Sequence, residues 1–302
     1  MNFSTNNSGT EAGGLVLEGA SFAIWVSSVC ISFGYFVATS YVMVMLIIDM
    51  FKDGVGPSSS NEGVGKNMAK WIKVSRFLFV TICNTLYLSG WFGRILVDFY
   101  NPEFCNSHKS LRIMVESAAA TFTYLTVWLR HRIIHNIPAM QHSINYATRI
   151  LSIIVLVLAI VVPPLNRLIV VLTSSSKVTQ TGCDIVEMSI PIQMPLFILG
   201  ASSIVMQVII LGLFLQPLRQ HQKNIGRAAD NLTPMLKRAF FTTLVCCVSD
   251  VAASVLVVVA GLFIADISME TTFFINIWMI LICFPEWKTT LFPFISFTSE
   301  VN

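Results

Sequence analysis

The sequence predicts an all-α membrane protein, a bundle of seven transmembrane helices with its N-terminus outside. The first observation is composition: 55% of the 302 residues are hydrophobic and 12% are charged, whereas a soluble globular domain carries about 25% charged residues. The second is the presence of seven apolar runs long enough to span a bilayer. The third is an uneven distribution of Lys and Arg among the connecting loops, which indicates the orientation.

Three regions follow from this pattern. Residues 1–20 are polar and lack an apolar core, so they predict an extracellular tail rather than a cleavable signal peptide. Residues 21–294 hold the seven-helix transmembrane domain, and residues 295–302 form a short cytoplasmic tail. The first hydrophobic segment is therefore expected to direct membrane insertion by itself.

Each of the seven apolar segments is predicted to form one membrane-spanning helix. In chain order they are Ser21–Met50, Val74–Val97, Leu111–Arg132, Ile150–Leu172, Met188–Leu215, Ala239–Ala265 and Thr271–Phe294. The fourth contains Pro163 and Pro164, and the seventh contains Pro285. Membrane helices tolerate such kinks because neighbouring groups re-satisfy the freed carbonyls.

Charge placement sets the predicted orientation. Lys and Arg concentrate in the connectors after segments one, three and five, which places those connectors inside the cell. The opposite face is acidic, and its predicted carboxylates are Glu11, Glu18, Asp98, Glu103, Asp184, Glu187, Asp266 and Glu270. The N-terminus is therefore expected outside and the C-terminus inside.

The third helix carries a polar seam that the other helices are expected to surround. At about 100° per residue, an α-helix brings four of its side chains within roughly 40° of one another: Cys105, Arg112, Glu116 and Arg130. Ionisable residues in membrane helices face the bundle interior or a watery cavity. We therefore expect this helix at the centre of the bundle with its seam turned inward.

Two covalent features are predicted for the outer surface. Cys105 and Cys183 are the two cysteines outside the hydrophobic segments on the oxidising side, and they most simply form a disulfide; the alternative is two free or separately used thiols. Asn2 and Asn6 each begin a glycosylation sequon in the outer tail. Chance occurrence of the sequons is the alternative there.

The arrangement of spans, outer cysteines and one arginine resembles the rhodopsin-like G-protein-coupled receptors. Arg130, within Trp128-Leu129-Arg130-His131-Arg132, follows Cys105 by 25 positions, which is the spacing of the third-helix cysteine and arginine in that superfamily. The resemblance implies that Arg130 anchors the inner end of the third helix in the inactive state. It further implies that Arg130, with His131 and Arg132, meets a heterotrimeric G protein in the active state.

Several motifs depart from the superfamily pattern. Leu129 replaces the acid before the arginine, and His131 replaces the aromatic residue after it. In the seventh segment, Phe284-Pro285-Glu286-Trp287-Lys288 stands where Asn-Pro-x-x-Tyr is usual. This divergence resembles the invertebrate chemoreceptor-like branches more than the amine or peptide receptors.

Arg112 and Glu116 are the candidate ligand-binding residues. They lie one turn apart, two to three turns inside the outer mouth of the third helix, where a desolvated cation would attract an acidic group on a ligand. The alternative is a pair that neutralises itself and fixes helix packing. Both interpretations bury the pair, and they differ in whether an anionic ligand can compete for Arg112.

Asp250, about halfway along the sixth segment, is the centre of a candidate buried polar switch that also includes Asn84 and Pro285. A carboxylate at that depth is costly unless it is protonated or partnered, and Asn84 and Arg94 are the available partners. One interpretation is a cation or proton site coupled to activation. The other is a neutral, hydrogen-bonded Asp in the bundle core.

The sequence therefore predicts a G-protein-coupled receptor of the plasma membrane that binds an extracellular small molecule or peptide within the helix bundle. The alternatives are a secondary transporter or channel using Arg112, Glu116 and Asp250, and a non-signalling scaffold. A net charge of +3 does not predict nucleic-acid binding. No cofactor is predicted, and neither a metal cluster nor a nucleophile–base arrangement suggests an enzyme.

Overall fold

Long apolar runs with few helix breakers make this chain predominantly helical. The computed structural model describes residues 20–55, 63–136, 146–179, 182–191, 193–224, 232–260, 262–284 and 287–293. Eight α-helices lie within these ranges, together with one two-stranded sheet.

The helices follow the predicted segments in order. They are α1 (Ala20–Val55), α2 (Gly63–Leu88), α3 (Cys105–Asn136), α4 (Tyr146–Thr173), α5 (Gln193–Asn224), α6 (Leu232–Ala260), α7 (Leu262–Ile282) and the short α8 (Trp287–Leu291). Two π-helical turns, Ser89–Gly93 and Leu96–Tyr100, extend α2, and a 3₁₀ turn, Pro102–Phe104, leads into α3.

The described helices pack largely in sequence order, with α3 in the middle. Helix α3 contacts α2, α4, α5 and α7, and it also contacts both strands. Helix α1 packs on α2, α7 and α8, and α6 packs between α5 and α7. The central position agrees with the polar seam of α3, because a helix surrounded by other helices can present ionisable side chains to them rather than to lipid.

The surface of the described helices is apolar, as a bilayer requires. Three stretches are long and apolar enough to cross a membrane: Phe22–Lys52, Thr148–Thr173 and Lys237–Leu256. Large apolar side chains such as Phe33, Ile153 and Val157 are exposed, whereas Arg112 and Glu270 are buried. This distribution is consistent with a membrane protein. That all seven segments cross, with the N-terminus outside, stays a prediction.

A β-hairpin covers one end of the described bundle. Strand β1 (Ser174–Thr179) pairs antiparallel with β2 (Gly182–Met188), and Gly182 takes a φ of 103°, which favours glycine. The Cys105–Cys183 disulfide joins this hairpin to the first residue of α3 and confirms the predicted pairing. We call this end of the bundle the hairpin end.

The predicted start of the seventh span is wrong by nine residues. The seventh span was expected to begin at Thr271, but α7 begins at Leu262. Asp266 and Glu270, expected in an outer loop, therefore lie within the helix, and Glu270 is buried. Charged residues usually mark loops in an apolar sequence, and that rule fails here because the two carboxylates face cations on other helices.

Candidate functional site

The seam of α3 faces the interior. Cys105, Arg112 and Glu116 are all at least 95% buried, which confirms the inward orientation for these three residues. Arg130 lies within α3, but its side chain is outside the described part of the chain. The structure therefore describes the side-chain contacts of the seam residues nearer the hairpin.

Arg112 is the centre of a buried ionic network. Its Nη2 lies 2.6 Å from Glu270 Oε1 and 3.7 Å from Asp266 Oδ2. Its Nε lies 3.5 Å from Glu116 Oε1, one turn further along α3. One guanidinium thus contacts three carboxylates, two of them on α7, and ties the two helices together.

The network continues in both directions from Arg112. Toward the hairpin, Asp266 Oδ2 lies 2.8 Å from Lys109 Nζ and 3.3 Å from Arg94 Nη2, and Lys109 Nζ lies 3.9 Å from Asp184 Oδ1 on β2. Away from the hairpin, Glu116 Oε2 lies 3.4 Å from Arg167 Nη2 on α4. The ion pairs therefore connect α3 with the extension of α2, α4, α7 and the hairpin.

The charges of this network balance. Its cations are Arg94, Lys109, Arg112 and Arg167, and its carboxylates are Glu116, Asp184, Asp266 and Glu270. Each carboxylate has a cation within 4.0 Å. Buried charges are tolerated when they are paired in this way, and removing one partner is costly.

Local sequence explains how the carboxylates reach Arg112. Asp266 and Glu270 are four residues apart, so they share one face of α7, as Arg112 and Glu116 share one face of α3. Ser32 donates a hydrogen bond to Glu270 at 2.5 Å. A Cβ on Gly90 would lie 2.6 Å from Glu270 Oε1, so only glycine allows the π-helical turn to approach this closely.

Asp98 and His108 lie beside the network, outside the predicted spans. The Asp98 carboxylate accepts hydrogen bonds from Trp25 Nε1 at 2.8 Å and from the Cys183 backbone N–H at 2.9 Å. Burial raises the pKa of Asp98, and these hydrogen bonds offset part of the rise. Burial, and after it the positive charge of Arg112, lowers the pKa of His108 to about 4. The His108 ring is therefore neutral at pH 7.

A cavity lies further from the hairpin, between α3, α4, α5, α6 and α7. The cavity is partly open to the surroundings. Glu116 and Arg167 line it near the network, and Asp250, Asn276 and Tyr124 line it further along. Glu116 and Tyr124 are eight residues apart on α3, so the polar groups at the two ends lie about 12 Å apart along the helix axis.

Asp250 has only neutral partners among the described side chains. Asn276 Nδ2 donates a hydrogen bond to its Oδ1 at 2.9 Å, and Gln207 Nε2 donates one to its Oδ2. The predicted partners are wrong. Asn84 instead accepts hydrogen bonds from Thr39 and Ser40, at 2.9 and 3.0 Å.

Arg94, the second predicted partner of Asp250, belongs to the ionic network. It lies beside Asp266 and also donates a hydrogen bond to Ser28. The π-helical turns after α2 place it there, since they carry Arg94 toward α1 and α7. The sequence gives only the depth of each residue in the membrane, and depth alone could not show that Asp250 and Arg94 have different partners.

The amides that hold Asp250 leave two acceptors unused. Gln207 Oε1 and Asn276 Oδ1 are buried, and no described group donates a hydrogen bond to either. The Gln207 and Asn276 side chains are 4% and 1% exposed. Buried acceptors without a donor are uncommon in folded proteins, and these two belong to the side chains that hold Asp250.

The remaining predicted site residues are spread over the molecule. Arg112 is not among the residues that line the cavity, whereas Glu116 is. His131 is buried and Arg132 is half-buried at the other end of α3. The Arg130 side chain, Pro285 and the sequon residues Asn2 and Asn6 lie outside the described residues.

Sequence reasoning missed several residues of this site. The spacing of Asp266 and Glu270 was available as a signal, because it matches that of Arg112 and Glu116. Arg167 was available too, as a cation inside the otherwise apolar α4. Gln207 and Asn276 carried no signal, since an isolated amide in a membrane helix does not indicate what it contacts.

Comparison of the sequence with protein-family models and with curated proteins finds no match. The class of protein therefore follows from the fold and the site. They define a helical protein with helices long and apolar enough to cross a membrane, one disulfide-tethered hairpin, and a polar cavity inside the bundle.

Proposed function

We propose that this chain is a plasma-membrane receptor of divergent rhodopsin-like type that binds an extracellular small molecule within its helix bundle and signals to a heterotrimeric G protein. The observation that carries the proposal is the cavity between α3, α4, α5, α6 and α7. Its wall combines apolar side chains with a few polar groups, as the walls of small-molecule sites do.

The hairpin end supports an extracellular placement of the cavity mouth. A disulfide forms and persists on the oxidising side of a membrane, and the Cys105–Cys183 bond lies at this end. The positive-inside distribution of Lys and Arg gives the same orientation. With the N-terminus outside, a ligand from the extracellular side meets the hairpin and the ionic network first and the cavity beneath them.

The geometry favours Glu116 over Arg112 as the ligand contact. An anionic ligand at Arg112 would have to displace Glu270 or Asp266, which already contact that guanidinium. The self-neutralising interpretation therefore suits Arg112 better. Glu116 keeps its place in the ligand site, because it lines the cavity beside Arg167.

Signalling requires that ligand binding favour one arrangement of the helices over another. A ligand in the cavity contacts α6 and α7 together with α3, so it can have different affinities for two arrangements of those helices. In this proposal the opposite end of α3, with Arg130, His131 and Arg132, meets the G protein. Asp250 on α6 and Asn84 on α2 lie on helices that connect the two ends; Pro285, the third residue of the predicted switch, lies outside the described residues.

The proposal is tested by guanine-nucleotide exchange on purified G proteins added to membranes that contain the full chain. Gly200→Trp fills the cavity, whereas Gly212→Trp on the same helix points a matched side chain into open space. We expect Gly200→Trp and Arg130→Ala to abolish ligand-stimulated exchange and Gly212→Trp to retain it. Exchange that no extract or small molecule stimulates in the wild-type chain would overturn the proposal.

A secondary transporter or channel is the second candidate, and one observation favours it. Ionisable side chains run without interruption from Asp184 at the hairpin through Arg112 and Glu116 to the cavity that contains Asp250. Such a chain inside a membrane is typical of a substrate or proton path. Substrate uptake or current in proteoliposomes that Asp250→Asn abolishes, without any nucleotide exchange, would favour this candidate over the receptor.

A further inference from the structure

The cavity contains one carboxylate that the rest of the site does not neutralise. Glu116 and Arg167, the other charged residues in the wall, contact each other. Both belong to the network, in which four cations meet four carboxylates. Asp250 stands outside that network, and its described partners are the neutral amides of Gln207 and Asn276. An ionised Asp250 therefore leaves the cavity with an excess negative charge.

The same place lacks hydrogen-bond donors. Both amides donate their N–H groups to Asp250, and both retain a buried oxygen that accepts nothing from the described residues. Asn276 lines the cavity beside Asp250, so its unused Oδ1 can accept an N–H from a molecule in the cavity while its Nδ2 stays bonded to Asp250. Gln207 is not among the lining residues and continues to hold Asp250.

A primary ammonium group satisfies both deficits. It carries one positive charge and three N–H donors, which suit the two carboxylate oxygens of Asp250 and the amide oxygen of Asn276. The cavity extends from Asp250 to Glu116 and is partly open, so an organic body attached to the ammonium has space behind it. Apolar side chains of Met206, Phe273 and Met269 line the wall and would contact such a body.

We propose that the ligand of this cavity is a small organic molecule with a primary ammonium group, which binds to Asp250 and Asn276. The inference rests on the proposed ligand-binding function and names the chemical class of the ligand. It reverses the charge expected from the sequence, which favoured an acidic ligand at Arg112. The ammonium lies at the Asp250 end, and the Glu116–Arg167 pair closes the end nearer the hairpin.

The test is ligand-dependent thermal stabilisation of the full chain purified in detergent micelles. The probes are butylamine and 2-phenylethylamine, which are protonated at neutral pH as a lysine side chain is, and the matched uncharged alcohols butanol and 2-phenylethanol. We expect the amines to raise the unfolding temperature and the alcohols to leave it unchanged. Asp250→Asn should weaken amine binding by roughly tenfold or more, because the buried ammonium loses its charged partner.

Asp49→Asn is the matched control, since Asp49 pairs with Lys73 at 3.0 Å and does not line the cavity. It should leave amine binding unchanged. The inference is overturned if no amine stabilises the chain, if amines and alcohols stabilise it equally, if Asp250→Asn binds amines like the wild type, or if sodium chloride alone reproduces the stabilisation.

The two proposals fail in different ways. Suppose that 3-phenylpropionate or the alcohols stabilise the wild-type chain and that Gly200→Trp removes this stabilisation. That result would support the ligand-binding cavity and refute only the ammonium site. Amine binding that depends on Asp250 without any nucleotide exchange would support the ammonium site and count against the receptor.

Discussion

Two sets of buried carboxylates a few turns apart show opposite ways of placing negative charge inside a helical membrane protein. At the hairpin end, Glu270 and Asp266 each contact the Arg112 guanidinium. In the cavity, Asp250 is held by two neutral amides. A compensated charge connects helices, whereas an uncompensated one is left to attract something from outside the chain.

The difference separates a structural part of the molecule from the part that we propose binds a ligand. The sequence drew attention to Arg112 and Glu116 because an ion pair in a membrane segment is unusual. In the structure, the conspicuous pair belongs to a neutral network, and the more informative residue is the one without a counter-ion. Variants that change one region at a time can measure how far the two roles are separate.

The largest effect is expected from Arg112→Met. It leaves the buried Glu270 without a described cation and removes one cation each from Glu116 and Asp266, and breaking a buried pair costs about 3–5 kcal/mol. We expect a fall of about 5 kcal/mol in the free energy of unfolding, measured in detergent micelles. Lys177→Met, which removes an exposed cation of the hairpin, should change it little. Equal stability of the two variants would contradict the structural role of the network.

A slightly smaller loss is expected from Cys105→Ser, which opens the disulfide while leaving every charge in place. The bond closes a loop with a sequence separation of 78, and the chain-entropy estimate for such a loop is about 4 kcal/mol. Differential scanning calorimetry of the purified chain measures the loss. Because α3 and the hairpin are also joined by polar contacts, the cavity should still bind its ligand at low temperature; loss of binding there would show that the bond itself shapes the site.

An intermediate effect is expected from Gly90→Ala. The added Cβ would lie 2.6 Å from Glu270 Oε1 and 2.9 Å from Ser32 Oγ, so the π-helical turn must move away from α7 and α1. Overpacking of this kind costs about 1–3 kcal/mol. Gly34→Ala, where nothing lies within 4 Å of the added Cβ, is the control and should be neutral or slightly stabilising. Similar unfolding temperatures for the two variants would contradict the close approach.

The smallest effect on stability is expected from Asp250→Asn. The variant removes a charge that no described cation compensates, and either Gln207 or Asn276 can turn its unused oxygen toward the new amide. We expect a change in the free energy of unfolding of less than about 1 kcal/mol in either direction, measured in micelles beside Arg112→Met. A loss as large as that of Arg112→Met would place Asp250 among the structural charges.

The helices and the disulfide could be predicted from the sequence. Apolar runs are the strongest signal for membrane helices, and Cys105 and Cys183 were the two outer thiols available to each other. The inward seam of α3 was also predictable, since lipid excludes Arg112 and Glu116 from the surface. These predictions depend on local composition, which the sequence displays directly.

The sequence could not predict which side chains contact each other where the contact depends on the rotation of a helix about its axis. Asp266 and Glu270 were assigned to a loop because charges ordinarily interrupt apolar segments, and only the cations on α3 explain their burial. Asn84 and Arg94 were matched to Asp250 by depth in the membrane, but α5 and α7 supply the actual neighbours. Depth follows from counting residues along a helix, whereas facing direction depends on tertiary packing.

The hairpin is attached to α3 at more points than the disulfide. Asn106 Oδ1 accepts a hydrogen bond from the Ser176 backbone N–H at 3.0 Å, and Lys109 lies 3.9 Å from Asp184. The hairpin and the start of α3 are therefore joined by a disulfide, a hydrogen bond and an ion pair. A fluorescent label on a cysteine that replaces the exposed Lys177 would therefore report on the orientation of α3. A rotation of this buried helix could then be followed by the fluorescence of a label exposed to water.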